Sequence, residues 1–217
     1  MPQDAPFIDI DIVSDVMCPW CIVGFRQLEQ ALAMTGSGAR IRWHPFELNP
    51  AMPPEGQNLT EHIAEKYGAS AEQSAQNRAH LVALGKTLGI DFAFSAQSRI
   101  YNTFAAHQVL DFALSQGVQH PLKLALFETY FTGQRDVSDW DVLRDVAETV
   151  GLDRDDVTDV LESGRLAQGV REKQQFWTAN GISGVPSMVF DGKYLLTGAQ
   201  GADTYAQLLQ KVAVEAA

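Results

Sequence analysis

Apolar and acidic residues alternate along residues 7–13, FIDIDIV, the period of two expected of a strand with one buried face. Beyond Cys18 the period changes: Ile22, Phe25, Leu28 and Leu32 recur at spacings of three and four until Gly36 stops them, which predicts a helix from the CPWC to about residue 35. Alternation returns in ARIRWHPFEL, residues 39–48, as a second strand, and NPAMPPEG then breaks regular structure with three prolines and a glycine. From about 58 to 180 only short ambiguous runs resemble strands, and the pattern is that of successive amphipathic helices. SDWDVLRDVAETVG is the clearest: Ser138 with Asp141 resembles a capping box, Val142, Leu143, Val146 and Val150 form the apolar stripe, and Gly151 ends it. PSMVFDGKYLLTG predicts a hairpin at 187–197 turning on the two residues Asp191-Gly192, and Asp203 is positioned to cap a last helix with Tyr205, Leu208, Leu209 and Val212 on one face.

The element order is therefore strand, helix, strand, helical block, hairpin, helix. With the block set aside this is the order of a thioredoxin fold, so the expected class is α/β, a thioredoxin fold with a large α-helical insertion between the second strand and the C-terminal hairpin. The expected division is a core of residues 1–57 and 181–217 with the insertion at 58–180.

Composition narrows what such a protein does. Lysine and arginine number 16 against 27 aspartates and glutamates, a net charge of −11 with no basic run, which argues against nucleic acid as a partner. The N-terminus has neither a positive n-region nor an uninterrupted apolar core, and no segment approaches the 18 apolar residues of a membrane span, so a soluble, cytoplasmic protein is expected. The five histidines are scattered without ligand spacing and no metal site is expected.

The chain has two cysteines, Cys18 and Cys21, separated by Pro19 and Trp20. Two are too few for a disulfide scaffold, and a reducing cytosol disfavours a permanent bridge. A zinc site would need a second pair, which the sequence lacks. A CxxC where a strand meets a helix instead suits redox chemistry: the helix N-terminus offers unpaired N–H groups and the positive end of its dipole to a thiolate at Cys18. Cys21, one turn on, is placed to resolve a mixed disulfide formed at Cys18. Pro19 fits the first helical turn; Trp20 is either a substrate contact or a partly buried lid. In a thioredoxin fold the loop before the hairpin returns beside the CxxC, so Val185 and Pro186 of SGVPS are expected there. A cis Val185–Pro186 bond would present Val185's carbonyl and N–H to an extended substrate.

SDVMCPWCIVG followed far downstream by GISGVPSMVFDGKYLLTGAQ resembles the DsbA-like branch of the thioredoxin superfamily, with the intracellular FrnE-like group the nearest match. NTFAAHQVLDFA (102–113) and LFETYFTGQRDVSDWDVLRDVAETVGLD (126–153) extend the resemblance into the helical block. The resemblance implies thiol–disulfide exchange on protein or small-molecule thiols. Cys18 attacks, Cys21 is its partner, and Pro186 is a cis-proline facing them. No cofactor is bound, glutathione is a candidate redox partner, and the protein is a monomer or homodimer without nucleic-acid or membrane partners.

The family often has a buried acid six residues before the first cysteine; here Ile12 stands there, between Asp11 and Asp15, and which carboxylate assists Cys21 stays open. Two alternatives remain. One is a glutathione-dependent isomerase or transferase of the 2-hydroxychromene-2-carboxylate isomerase or kappa-class type, which usually has a serine where Cys18 stands. The other is a non-catalytic binder.

Overall fold

A computed structural model describes residues 7–215; the leader reading falls in part on residues 1–6, outside them. The chain divides into two compact units, one within Met1–Phe46 and Glu172–Ala217, the other Glu47–Arg171. The sequence put the joins at 57/58 and 180/181. The proline-rich segment is hydrogen-bonded among the helices, through Lys66 Nζ to the Leu48 carbonyl (2.7 Å) and Asn102 Nδ2 to the Met52 carbonyl (3.2 Å).

The first unit begins with β1 (Phe7–Ser14), α1 (Pro19–Thr35) and β2 (Gly38–Pro45), with β2 parallel to β1. It resumes late in the chain with β5 (Ser187–Phe190), β6 (Tyr194–Thr197) and α9 (Ala202–Glu215). The sheet order is β2-β1-β5-β6, with β5 antiparallel to both neighbours. Register explains the alternation in β1. Ile10 faces Phe190 and Ile12 faces Met188, all fully buried, beneath α1 and α9, which run side by side. Apolar burial of this kind contributes about 25 cal/mol per Å² and holds the layers together. On the opposite face Arg40 pairs with Asp9 (2.7 Å) and Arg42 with Asp11 (3.0 Å), each pair directly opposite across β1 and β2. His44 adds a hydrogen bond to Asp11 (2.7 Å) and packs on Trp177 at 4.7 Å between ring centres.

The second unit contains the short strands β3 (Gln57–Asn58) and β4 (Arg99–Ile100), and helices α2 (Leu59–Tyr67), α3 (Ala71–Thr87), α4 (Phe104–Ser115), α5 (Gln119–Phe131), α6 (Trp140–Thr149) and α7 (Arg154–Ser163). Helix α8 (Ala167–Ala179) starts in this unit and ends in the first. The core of the second unit is aromatic and aliphatic: Phe131 makes ring contact with both Phe92 and Phe127, and Leu122 and Leu126 are fully buried. Its first and last residues, Glu47 and Arg171, form an ion pair, and the Arg171 guanidinium lies 3.7 Å from the Phe104 ring centre.

Four local expectations are corrected. The helical block does contain strand, the ladder of β3 with β4, too short to impose a period. Helix α6 is capped by Asp139, whose side chain accepts from the Asp141 N–H (2.7 Å), while Ser138 turns back to Asp136 Oδ1 (2.5 Å). The hairpin loop has three residues, because Phe190 pairs with Tyr194; Asp191 (φ 48°) and Gly192 (φ 64°) take the left-handed conformations expected of them. Asp203 lies inside the first turn of α9.

Candidate active site

Everything that can touch the CxxC within the first unit follows from where β1 ends. The strand delivers Ser14 and Asp15, both fully buried, and a tight turn closed by the Cys18 N–H on the Asp15 carbonyl (3.3 Å) leads into α1. Cys18 is the N-cap of α1, with extended backbone (φ −83°, ψ 110°) and no capping hydrogen bond from its side chain, and Pro19 opens the helix. This satisfies proline's geometry, since the first helical N–H has no partner within the helix. The Cys21 N–H closes on the Cys18 carbonyl at 3.0 Å, so both thiols fall on the first turn and approach within 3.2 Å. Cys18 is 3 % exposed and Cys21 fully buried, whereas Trp20 is 41 % exposed, beside them on the surface.

The second half of the site comes from the loop before β5. The Val185–Pro186 peptide bond is cis, Pro186 is buried and Val185 half-buried. The Cys18 thiol donates to the carbonyl of Val185 at 3.6 Å, a normal separation for sulfur. Thus Cys18 and Val185, from two stretches more than 160 residues apart, meet, with Pro19, Trp20 and Cys21 following the one in the chain and Pro186 the other.

The loop is fastened from below. Ser187 Oγ donates to the Gly184 carbonyl (2.8 Å), and the Gly198 N–H donates to the Pro186 carbonyl (2.7 Å). Gly24, in the second turn of α1, lets the loop sit against the helix: a Cβ there would stand 3.2 Å from Pro186 Cγ and 3.4 Å from both Met188 Cε and Tyr205 Oη. Sequence reasoning passed over this glycine, although one inside a helical stripe signals a close approach. It also read Tyr205 only as a stripe residue; its hydroxyl is aimed at backbone, a target that no side-chain pattern reveals.

Electrostatics depart from the expectation of a thiol lowered by the helix terminus. The Cys18 thiol is pushed well up, first by the hydrogen bond it shares with Cys21, then by burial, the charge on Cys21 and that on Asp15. Of the flanking carboxylates, Asp11 is engaged by Arg42 and His44 on the far face of the sheet, and Asp15 is the one whose charge reaches Cys18. Among the described residues no group of three or more His, Cys, Asp or Glu side chains could hold a metal ion, and no helix is long and apolar enough to cross a membrane.

A family model described as the DSBA-like thioredoxin domain matches residues 9–210. The uncharacterized protein YwbO of Bacillus subtilis is 26 % identical over 204 residues, covering 93 % of this chain and 96 % of that protein. Among solved structures, the probable DsbA oxidoreductase SCO1869 of Streptomyces coelicolor superposes with a TM-score of 0.88 at 30 % identity, covering 94 % of this chain and 89 % of that one. A 2-hydroxychromene-2-carboxylate isomerase superposes with a TM-score of 0.70 at 16 % identity, covering 94 % and 95 %, a likeness of fold.

Proposed function

The chain belongs to the family of DSBA-like thioredoxin domains, and on that premise we propose that it is a thiol–disulfide oxidoreductase cycling Cys18 and Cys21 between dithiol and disulfide. The observation that carries the reading is a pair of thiols on the first turn of a helix, the outer one hydrogen-bonded to the carbonyl of Val185. The assignment to the FrnE-like group rests on the resemblance of the CPWC and GVPS segments, and the cytoplasmic assignment on the N-terminal pattern and the lack of a long apolar run read from the sequence.

In the oxidising direction a substrate thiolate attacks Cys18 Sγ, the Cys18–Cys21 bond breaks, and Cys21 leaves as a thiolate that takes up a proton. A second substrate thiolate then attacks the substrate sulfur of the mixed disulfide, forming the substrate disulfide. Cys18 departs as a thiolate and takes up the second proton, so two electrons from the substrate and two protons from solvent have passed to the protein. In the reducing direction the Cys18 thiolate attacks the substrate disulfide and expels one substrate thiolate; deprotonated Cys21 then attacks Cys18 Sγ, closing the Cys18–Cys21 bond and expelling the second substrate thiolate, and the two thiolates take up the protons that the cysteines gave up. Asp15, buried three residues before Cys18, is our candidate for exchanging the Cys21 proton. Trp20, Pro19, Val185 and Pro186 form the surface on which a protein or small-molecule substrate rests, and glutathione is the proposed small-thiol partner.

The test is equilibration of the full chain in graded glutathione buffers with mass-tagged thiol counting. The expected result is a cooperative two-thiol transition, oxidising if its potential lies near about −120 to −180 mV and reducing near about −270 mV. Cys18→Ser should abolish turnover and Cys21→Ser should accumulate mixed disulfides. One lasting glutathione on Cys18, with no internal disulfide, would instead favour the glutathione-dependent isomerase reading.

A further inference from the structure

Tyr205 is fully buried in α9, yet its hydroxyl is spent on backbone: it donates to the Gly198 carbonyl (3.0 Å) and accepts from the Gln200 N–H (3.4 Å). Gly198, at φ 84°, a conformation glycine enters at little cost, sends its own N–H to the Pro186 carbonyl (2.7 Å). One residue back, the Val185 carbonyl receives the Cys18 thiol. A chain of hydrogen bonds and two residues of loop therefore runs from Tyr205 to the sulfur. The same hydroxyl and the Pro186 ring both border the space left by Gly24: a Cβ there would stand 3.4 Å from the one and 3.2 Å from the other. Gln27 of α1 secures the far end of the segment, its Oε1 accepting from the Gly201 N–H at 2.9 Å.

We propose that Tyr205 is a positioning residue that sets how closely the Val185–Pro186 turn approaches Cys18, and through that spacing how readily the dithiol gives up its proton; this rests on the dithiol exchange proposed above. A carbonyl oxygen beside a sulfur accepts the hydrogen of the thiol and repels the thiolate, so a close turn holds the proton on and a loose one releases it. The reduced form gains from a more stable thiolate, so loosening the turn also draws the equilibrium towards the reduced protein. Burial pushes the Tyr205 hydroxyl up to about 12, with the charge on Cys21 adding to it, which keeps the hydroxyl protonated and able to donate throughout the neutral range.

The experiment is Tyr205→Phe in the full chain, read by the pH dependence of Cys18 alkylation and by the equilibrium with glutathione. The expected result is an alkylation midpoint at lower pH and an equilibrium constant moved towards the reduced protein by roughly threefold to tenfold, the range one hydrogen bond spans. Tyr130→Phe is the control: it removes a buried hydroxyl that donates to the Arg99 carbonyl (2.8 Å) in the other unit, and it should leave both readouts at wild-type values. Gln27→Ala loosens the same segment from a half-buried position and should shift both readouts in the same direction by less; it carries the test if Tyr205→Phe does not fold. Unmoved readouts in the variants of the segment, or equal shifts in the Tyr130→Phe control, would overturn the role of Tyr205 while a normal wild-type transition left the oxidoreductase reading standing. A wild-type protein with no two-thiol transition would overturn both.

Discussion

Replacing Gly24 by alanine separates what the helix prefers from what the site requires. In a helix interior alanine is favoured over glycine by about 1 kcal/mol. The added methyl would stand 3.2 Å from Pro186 Cγ, inside the ~3.5 to 4.0 Å at which carbon atoms attract best. Met188, whose terminal methyl lies at 3.4 Å, yields by rotating its flexible tip, but Pro186 is a ring in a turn fastened by Gly198 and has to move bodily. Overpacking of this kind costs about 1 to 3 kcal/mol. The gain offsets part of the cost, so the urea midpoint should correspond to a net loss of about 0 to 2 kcal/mol. The displaced ring shifts the Val185–Pro186 surface on which a substrate rests in the proposed exchange. Since a misplacement of ~1 Å can cost about a hundredfold in rate, a few tenths of an ångström should slow exchange with a model disulfide several-fold. Wild-type exchange rates in a stably folded Gly24→Ala protein would refute the reasoning, because they would mean that the contact between α1 and the loop does not govern the chemistry.

Burial holds His44 below its ordinary value of 6.5 despite the hydrogen bond to Asp11, with Arg42 and Lys173 opposing the charge further. As pH falls below 6.5 the unfolded chain therefore takes up the proton first, and stability present at neutral pH is lost through the acid side of that value. His44→Gln, which retains a donor for Asp11, should flatten the stability difference between pH 7.5 and 5 measured by urea unfolding; an unchanged difference would remove His44 from the acid response. Asp139→Ala should cost about 0.5 to 2 kcal/mol by stripping the cap of α6, whereas Ser138→Ala, which touches only the preceding loop, should stay within about 0.5 kcal/mol in thermal unfolding. The reverse order would show that Ser138 holds the helix end.

Those cases mark the limits of legibility. The acidic alternation of β1 and the stripe of α1 could be read because each residue reports one face of a regular element, and Pro19 restricts where α1 can begin. Ser138 and Asp139 are both good caps in adjacent positions, and the choice between them lies in backbone geometry, where the sequence is silent. The spacing of the cysteines suggested the chemistry proposed for them, and the fold order placed the Val185–Pro186 turn beside Cys18. Asp15 was inseparable from Asp11 until the structure paired Asp11 with Arg42 and His44 and set Asp15 in the buried turn that leads to Cys18. Tyr205 and Gly24 act through backbone and empty space, which leave no imprint on side-chain pattern.

The ion pair between Glu47 and Arg171 has a consequence for how the protein is made. It joins the two ends of the helical unit, so that unit can be completed while the sheet is still half built. β1, α1 and β2 leave the ribosome early and wait about 140 residues for β5, roughly 7 to 28 s at 5 to 20 residues per second. Throughout that interval Cys18 and Cys21 exist without the turn that later buries them, exposed to whatever thiols and oxidants surround the nascent chain. The pair is thus synthesised well before the turn that encloses it.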